Sequence, residues 1–482
     1  MSRINTNVSS LIAVNTLNKN NQALQTSLQR LSTGYRINSA KDDPAGLIAA
    51  QNLSAEQAAT QSAIGNAQRA DNIISTAEGA LGEVSNLLVS LQGLVGNSAN
   101  SSGLSQDERN ANQLQVDSIL STINRISNSA SFEGVKLLNG TFDYATSGLT
   151  STSAFTGVQV NSAKLNGATL SVTVSVVTSA KTGELHFAGS ASGLASATTI
   201  SVAGNTGSVQ LTFASATSSS DIVNSINQFT NSTGVQAVLS SNSNDVKLLS
   251  TGYGASQFVS VASSSSTSFS TTNTNGDTTG SAYGTNANLT VNGTKAVSNG
   301  LDVKAVFGDL LDLSFTLNAD ANTGSFSKTF GITGGGATFS LGAQVNSGNL
   351  ASIGIQSVNT ASVGKTVSNG IVYSLSDLGS GKAAAVNNGD TNLAQNIVTQ
   401  AISDVSGLRG RLGAFQSNVL SSTINSLNVA LENVASSKSA IQDTDFASET
   451  ANLTRSQILS QAATSVLSQA NASPQSVLKL IG

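Results

Sequence analysis

The sequence has no cysteine, two prolines, one histidine and few charges, and each shortage removes a class of function. Without cysteine there is no disulfide and no thiolate metal site, and thiols give no reading of the redox compartment. His186 is the only histidine, so histidine-rich metal sites are excluded, and the residues suggest no catalytic, cofactor-binding or metal site. Charged residues make up 10% and aromatics 4%, with a net charge of -4. That balance offers no basic stripe to phosphates, which argues against nucleic acid and against anionic membrane surfaces. No run approaches the ~18 consecutive apolar residues of a membrane span, so membrane insertion is not expected. Met1 to Asn7 carries one basic residue and lacks an apolar core of about 7 to 15 residues, so no cleaved signal peptide is expected. Leaving the cell would then require another export route.

What is present is a chain of 482 residues, enough for two to four domains. Hydrophobic residues reach 39%, and with so few charges little opposes compaction. The ends and the middle differ in composition: every arginine lies outside residues 146–385, and that middle is rich in Ser, Thr and Gly. The prolines, Pro44 and Pro474, sit near the ends and leave long stretches in which helices run uninterrupted.

Ala63, Ala67, Ala70, Ile74, Ala77, Leu81, Val84, Leu88, Leu91, Val95 and Ser98 follow in steps of four and three. This heptad seam predicts a helix of roughly 50 Å at ~1.5 Å per residue. Ser105 and Glu108 have the spacing of a capping box and open a second helix with Val116, Ile119, Ile123, Ile126 and Ala130 on one face. The matching strip runs Ala394, Val398, Ala401, Val405, Leu408, Leu412, Phe415, Val419, Thr423, Leu427, Ala430, Val434, Ser437 and Ile441. Its extra four-residue step between Val419 and Leu427 is a stutter that relaxes the supercoil. Rod packing is assigned to Ile74, Leu81, Val84, Leu88, Leu91, Val116, Ile119, Ile123, Leu408, Leu412, Phe415 and Leu427.

Outside the rod, Val14, Leu17, Asn21, Leu24, Leu28 and Leu31 keep heptad steps after a phase change at Leu11, and Leu459, Ala462, Val466, Val477 and Leu480 form a weaker stripe. Ser473 and Pro474 read as the N-cap and first position of a short last helix. The middle reads as β structure. Leu170, Val172, Val174 and Val176 alternate with polar residues, and Asn292-Gly293 has the form of a hairpin turn. One helical interruption is expected after Ser220, with Ile222, Ile226 and Phe229 on one face. His186 reads as a plain strand residue and Gly334 to Gly336 as a turn. The fold class is α+β: a long antiparallel helical coiled-coil rod formed by both termini, with a β-rich variable outer region inserted in the middle.

The residues also carry a resemblance. Ile4 to Val8, Leu31 to Asp43, Glu78 to Leu81 and Phe132 to Leu138 resemble the N-terminal region of bacterial flagellins, in order and spacing. Asp443 to Glu449, Gln457 to Leu459, Thr464 to Leu467 and Gln475 to Leu478 resemble the C-terminal region. Asp221 to Val261 is similar to a small insert shared by flagellins and hook-associated proteins. The resemblance implies a structural subunit, not an enzyme, that assembles head-to-tail into a helical swimming filament. It implies terminal helices of the inner filament core at 1–43 and 445–482, rod segments at 44–145 and 386–444, and a β-rich outer region at 146–385 with the insert at about 200–262. Inner-core assembly then falls to Ile4, Val8, Leu11, Val14, Leu17, Leu24, Leu28, Leu31, Leu459, Val466, Val477 and Leu480.

Implied partners are other copies of the chain, an export chaperone, the filament cap and hook-junction proteins. The implied route is unfolded, type III flagellar export to an extracellular flagellum. Departures occur at Tyr35 and Pro44, where Leu and Ala are commoner, and at Ile481-Gly482, where Arg is common. Ser90 and Gln115 replace an Arg and a Glu usual in flagellins detected by the vertebrate Toll-like receptor, while Leu94 is kept. A metallopeptidase insert of the H-E-x-x-H kind, found in some flagellins, is excluded by the single histidine. A hook–filament junction protein and a surface adhesin acting through the β lobes are the alternative readings.

An energy comparison bears on the termini. Residues 1–42 hold about ten large apolar side chains, worth roughly 15 to 30 kcal/mol if all were buried. Ordering their backbone costs roughly 40 to 80 kcal/mol at ~1 to 2 per residue. The ends are therefore expected to order against other copies. Circular dichroism of monomer and polymer should show helix content rising on polymerisation; equal helicity would contradict this.

Overall fold

The structure is a computed structural model that describes the chain except residues 1–5, 101–102, 150–153, 166–168, 191, 241–243, 309, 369–370, 388–390 and 482, with side chains described to Ser473. Ile4 therefore lies outside the described residues, as do the side chains of Val477 and Leu480. The helices are α1 (Val8–Thr33), α2 (Pro44–Ser98), α3 (Gln106–Ser129), α4 (Ser219–Asn227), α5 (Thr230–Thr233), α6 (Thr391–Ala414), α7 (Ser422–Gln442) and α8 (Phe446–Ile481). Two compact units divide the chain: residues 1–70, 340–349 and 417–482 form one, and residues 71–339 and 350–416 form the other.

In the second unit α2, α3 and α6 bury a common seam. From Ile74 through Leu81, Val84, Leu88 and Leu91 to Val95, every predicted α2 position is at most 1% exposed. Ala394, Val398, Ala401, Val405, Leu408 and Leu412 of α6 are buried likewise. Arg409 fixes the antiparallel register of α6 on α2: its Nε and Nη2 reach Glu78 Oε1 at 2.8 and 2.7 Å. The Ser105 side chain and Glu108 cap α3 reciprocally, as the S-x-x-E spacing predicts.

On α3 the buried positions are Gln113, Val116, Leu120, Ile123 and Ser127. Ile119 and Ile126, predicted on the seam, are half-buried, and Leu120 takes the place of Ile119. The seam contains two polar residues, which an apolar criterion passes over. Gln113 is 2% exposed and fully bonded: Nε2 donates to the Leu378 carbonyl and to Asp117, while Oε1 accepts from Val386 N. Ser127 donates to the Leu138 carbonyl at 2.7 Å. Both thereby pin irregular segments to a regular helix.

The stutter takes a different form from the one expected. Residues Phe415–Ser421 are π-helical, and Leu420, not Val419, is buried. A π turn absorbs one extra residue, so the buried face resumes one position later than heptad steps place it. Phe415 and Leu427 are half-buried, Ala430 and Ser437 are exposed, and α7 has no fully buried residue.

The β-rich middle has two cores, both within the second unit. One sheet runs Thr294–Lys295, Asn288–Val291, Leu170–Thr178, Ser327–Gly334, Ala145–Ser147; another runs Val297–Asn299, Asp302–Phe307, Leu311–Leu317, Phe155–Ala163. They share a core containing Val172, Val174, Leu289, Leu313 and Phe330. Asn292 and Gly293 take φ of +50° and +81° at the predicted hairpin turn. Gly336 has a reason beyond flexibility, since a Cβ there would come within 2.5 Å of the Tyr144 ring. The second core, Leu185 to Phe269, is built from two further four-stranded sheets and α4, where Ile222 and Ile226 are buried and Phe229 half-buried.

Asp117 gives the fold a pH signature. Burial pushes its pKa up, but hydrogen bonds from Ser380 and Gln113 outweigh this and hold it below the ordinary carboxylate value. A depressed folded pKa stabilises the fold above the unfolded value of ~3.9 and is lost as pH falls through the folded value. Asp117→Asn should therefore melt lower than wild type at pH 7, with the gap narrowing below about pH 4; a pH-independent gap in thermal melts would refute the assignment.

Candidate assembly surface

The first unit pairs α1 with α8 in antiparallel fashion. Three contacts set the alignment: Asn7 Nδ2 donates to the Ala470 carbonyl at 2.8 Å, Ser460 Oγ to Asn21 Oδ1 at 2.9 Å, and Arg30 Nη1 lies 3.6 Å from Glu449 Oε2. The covered face of α1 runs Ser10, Ala13, Leu17, Asn20, Leu24, Ser27, Leu31, in steps of three and four. That of α8 runs Glu449, Leu453, Ser456, Ser460, Ala463, Leu467, Ala470. The fully buried members, Ala13, Ser27, Glu449, Ser456 and Ala463, are small or polar, which lets the helices approach closely.

This seam differs from the predicted stripes. Leu17, Leu24 and Leu31 belong to it, but Val14 and Leu28 do not, and on α8 the predicted Leu459, Ala462 and Val466 lie one position away from Ser460, Ala463 and Leu467. Val8, Leu11, Ile12, Val14 and Leu28 on α1, with Ile458, Leu459 and Val466 on α8, remain 37–61% exposed. The expectation of a separate last helix is also corrected, because α8 continues to Ile481 through Pro474. The carbonyl that proline leaves without a donor, that of Ala470, accepts from Asn7 instead.

Two short connectors join this pair to the neighbouring helices of the same unit. Arg36 N donates to the Gln442 carbonyl at 2.7 Å and Thr444 N to the Gly34 carbonyl at 2.9 Å, so the connectors pair as an antiparallel bridge at Tyr35 and Asp443. Gly34, with φ of +75°, ends α1 in a conformation that glycine adopts freely. Asp43 Oδ1 accepts from Gly46 N at 2.8 Å and Pro44 follows as the first helical residue of α2. Asp42, fully exposed, accepts from the Ser39 and Asn38 backbones and the Ser39 hydroxyl, and these bonds lower its pKa.

The three receptor-recognition positions lie in the second unit. Ser90 and Gln115 are exposed and uncharged, and Leu94 is half-buried. Ser90 Oγ is turned back onto the Asn86 carbonyl at 3.0 Å. His186 bonds Glu184 Oε1 at 3.0 Å, an acceptor shared with Lys247, and no group of three or more potential metal ligands occurs among the described residues.

Comparison with known proteins agrees with this architecture. Residues 4–143 match the bacterial flagellin N-terminal helical region and residues 395–481 the C-terminal helical region. The chain is 30% identical to flagellin D of Vibrio anguillarum over 99% of both chains, and 35% identical to the B-type flagellin of Pseudomonas aeruginosa over 99% of both. A solved FliC from Burkholderia pseudomallei is similar at 18% identity and a TM-score of 0.23, over 72% of this chain and 98% of that one. The chain belongs to the bacterial flagellin family. It is a structural subunit of the flagellar filament, an extracellular assembly, and not an enzyme. Whole-length similarity does not favour the junction-protein or adhesin alternatives. No helix among the described residues is long and apolar enough to cross a membrane.

Proposed function

We propose that α1 and α8, with residues 1–43 and 445–482, form the inner core of the filament by packing their outward apolar faces on other copies. In this reading residues 44–145 and 386–444 build the surrounding helical layer, and residues 146–385 project outward. The observation that carries it is the exposure of nine large apolar side chains, Phe446 of α8 among them, on two helices whose facing seam is already filled. Val8, Leu11 and Ile12 follow at the spacing of one helix face, and an exposed apolar face on a subunit marks an interaction site. Val429, exposed on α7, and the absence of buried residues there extend the same reading to the next layer.

The subunit reaches the filament tip unfolded through the type III flagellar channel in this account. A chaperone covers Ile458, Leu459 and Val466 before export, and a cap and hook-junction proteins bound the growing polymer. Vertebrate Toll-like receptor recognition is weak, because Ser90 and Gln115 supply no charge beside Leu94.

Leu459→Ser should raise the critical concentration for polymerisation about fivefold, from roughly 1 kcal/mol of lost burial per subunit. Ala462→Ser, equally exposed but small, should change it less than twofold. Sedimentation of filaments at graded concentrations reads both, and an unchanged value for Leu459→Ser would exclude the core role. For the receptor, purified monomer should give weak or absent signal in reporter cells; strong signalling would contradict the proposal.

A further inference from the structure

The heptad seam between α1 and α8 does not by itself define one alignment. Its α8 side reads Leu453, Ser456, Ser460, Ala463, Leu467, Ala470, so a seven-residue slip still sets leucine or a small residue at each of these places, although it exchanges Leu453 and Leu467 with Ser460. A pair of helices so built needs a marker that occurs once. Pro474 is one: no other proline occurs between it and Pro44. Because proline carries no N–H, the ladder of α8 leaves the Ala470 carbonyl without its helical donor.

Asn7 meets that vacancy. Its Nδ2 donates to the Ala470 carbonyl at 2.8 Å, while its Oδ1 accepts from Ser10 N at 3.1 Å and caps α1. One carboxamide thus satisfies an orphan donor at the start of one helix and an orphan acceptor near the end of the other. After a slip by one heptad, Asn7 would face Ala463, whose carbonyl has the N–H of Leu467 as its helical donor.

We propose that Asn7 and Pro474 act together as a register lock that fixes the axial alignment of α1 on α8. Asn7 is a positioning residue here, acting through the carbonyl that Pro474 exposes. The inference rests on the reading that α1 and α8 pair within the filament core, and Leu459→Ser tests that reading separately.

The test is a double-mutant cycle on the full chain, read as critical concentration for polymerisation. Asn7→Ser keeps a hydroxyl cap for α1 but removes the donor that reaches Ala470. It should raise the critical concentration about threefold to tenfold, the range of one hydrogen bond. In a Pro474→Ala background the helix bonds its own Ala470 carbonyl, and Asn7→Ser should then change the value less than twofold. Should Asn7→Ser fail to polymerise, recovery in the double variant supports the lock and continued failure overturns it. An equal factor in both backgrounds, or no effect in wild type, also overturns it.

Discussion

A helix with a 3.5-residue seam can hide only one face against one partner, and this limit governs how the subunit distributes its apolar residues. Where three helices meet, in α2, α3 and α6, the seam holds Ile74, Leu81, Leu88, Ile123 and Leu408, and all are buried. Where α1 meets α8 alone, the seam mixes small residues with leucines, and nine other large apolar side chains stay exposed. These side chains are 37–61% exposed, so burying each on another copy yields roughly half of the ~1.5 to 3 kcal/mol of full burial, about 1 kcal/mol. On the proposed core reading, the terminal pair gains stability from neighbouring molecules as the subunit is added to the polymer.

With no cysteine and few charges, alignment within each unit rests largely on neutral side chains bonded to backbone, beside the ion pairs Arg30–Glu449 and Arg409–Glu78. Asn227 exchanges two hydrogen bonds with the backbone of Ala237 on the outer strand Val235–Leu239, closing an edge that would otherwise offer itself to another chain. Asn322 does the same at Ala180, and Asn286 accepts from both Ala255 N and Gly300 N. Bonds of this kind contribute about 0.5 to 1.5 kcal/mol each and, lacking net charge, are little screened by salt. The half-buried charges are a further exception. Burial lowers the pKa of Arg411, opposed by Asp312, Asp143 and Asp404, and burial raises that of Asp143, so each depends on the others' company.

Much of this was legible in the sequence where apolar period and burial coincide. The α2 seam, the capping box at Ser105, the alternation from Leu170 to Val176 and the Asn292-Gly293 turn all depend on local chemistry that a single strand or helix expresses alone. The intramolecular seam of α1 and α8 was not legible, because apolar period traces the terminal stripes and assigns them to contacts with other copies. Ala13, Ser27, Ser456 and Ala463 fill that seam, small or polar residues that an apolar criterion passes over, while Val8, Leu11 and Leu459 stay exposed. Gln113 and Ser127 were missed for a related reason: their burial depends on acceptors and donors at Leu378, Val386 and Leu138, distant in sequence or outside any helix.

The π-helical turn shows how little separates a correct phase from a correct residue. Leu427 follows Leu412 by a step of fifteen, one more than two heptads, and the four-residue steps through Val419 and Thr423 register that excess. A steadily relaxed supercoil would spread the extra residue over several turns. The backbone instead concentrates it in Phe415–Ser421, which rotates the buried face by about one position, ~100°, and brings in Leu420. The seam then resumes through Ile424, Leu427, Leu431 and Val434 in regular steps of three and four. Concentrating the mismatch leaves α6 and α7 each free to keep an undistorted seven-residue period, so that a pattern shared by copies of the subunit can repeat without accumulating error along either helix.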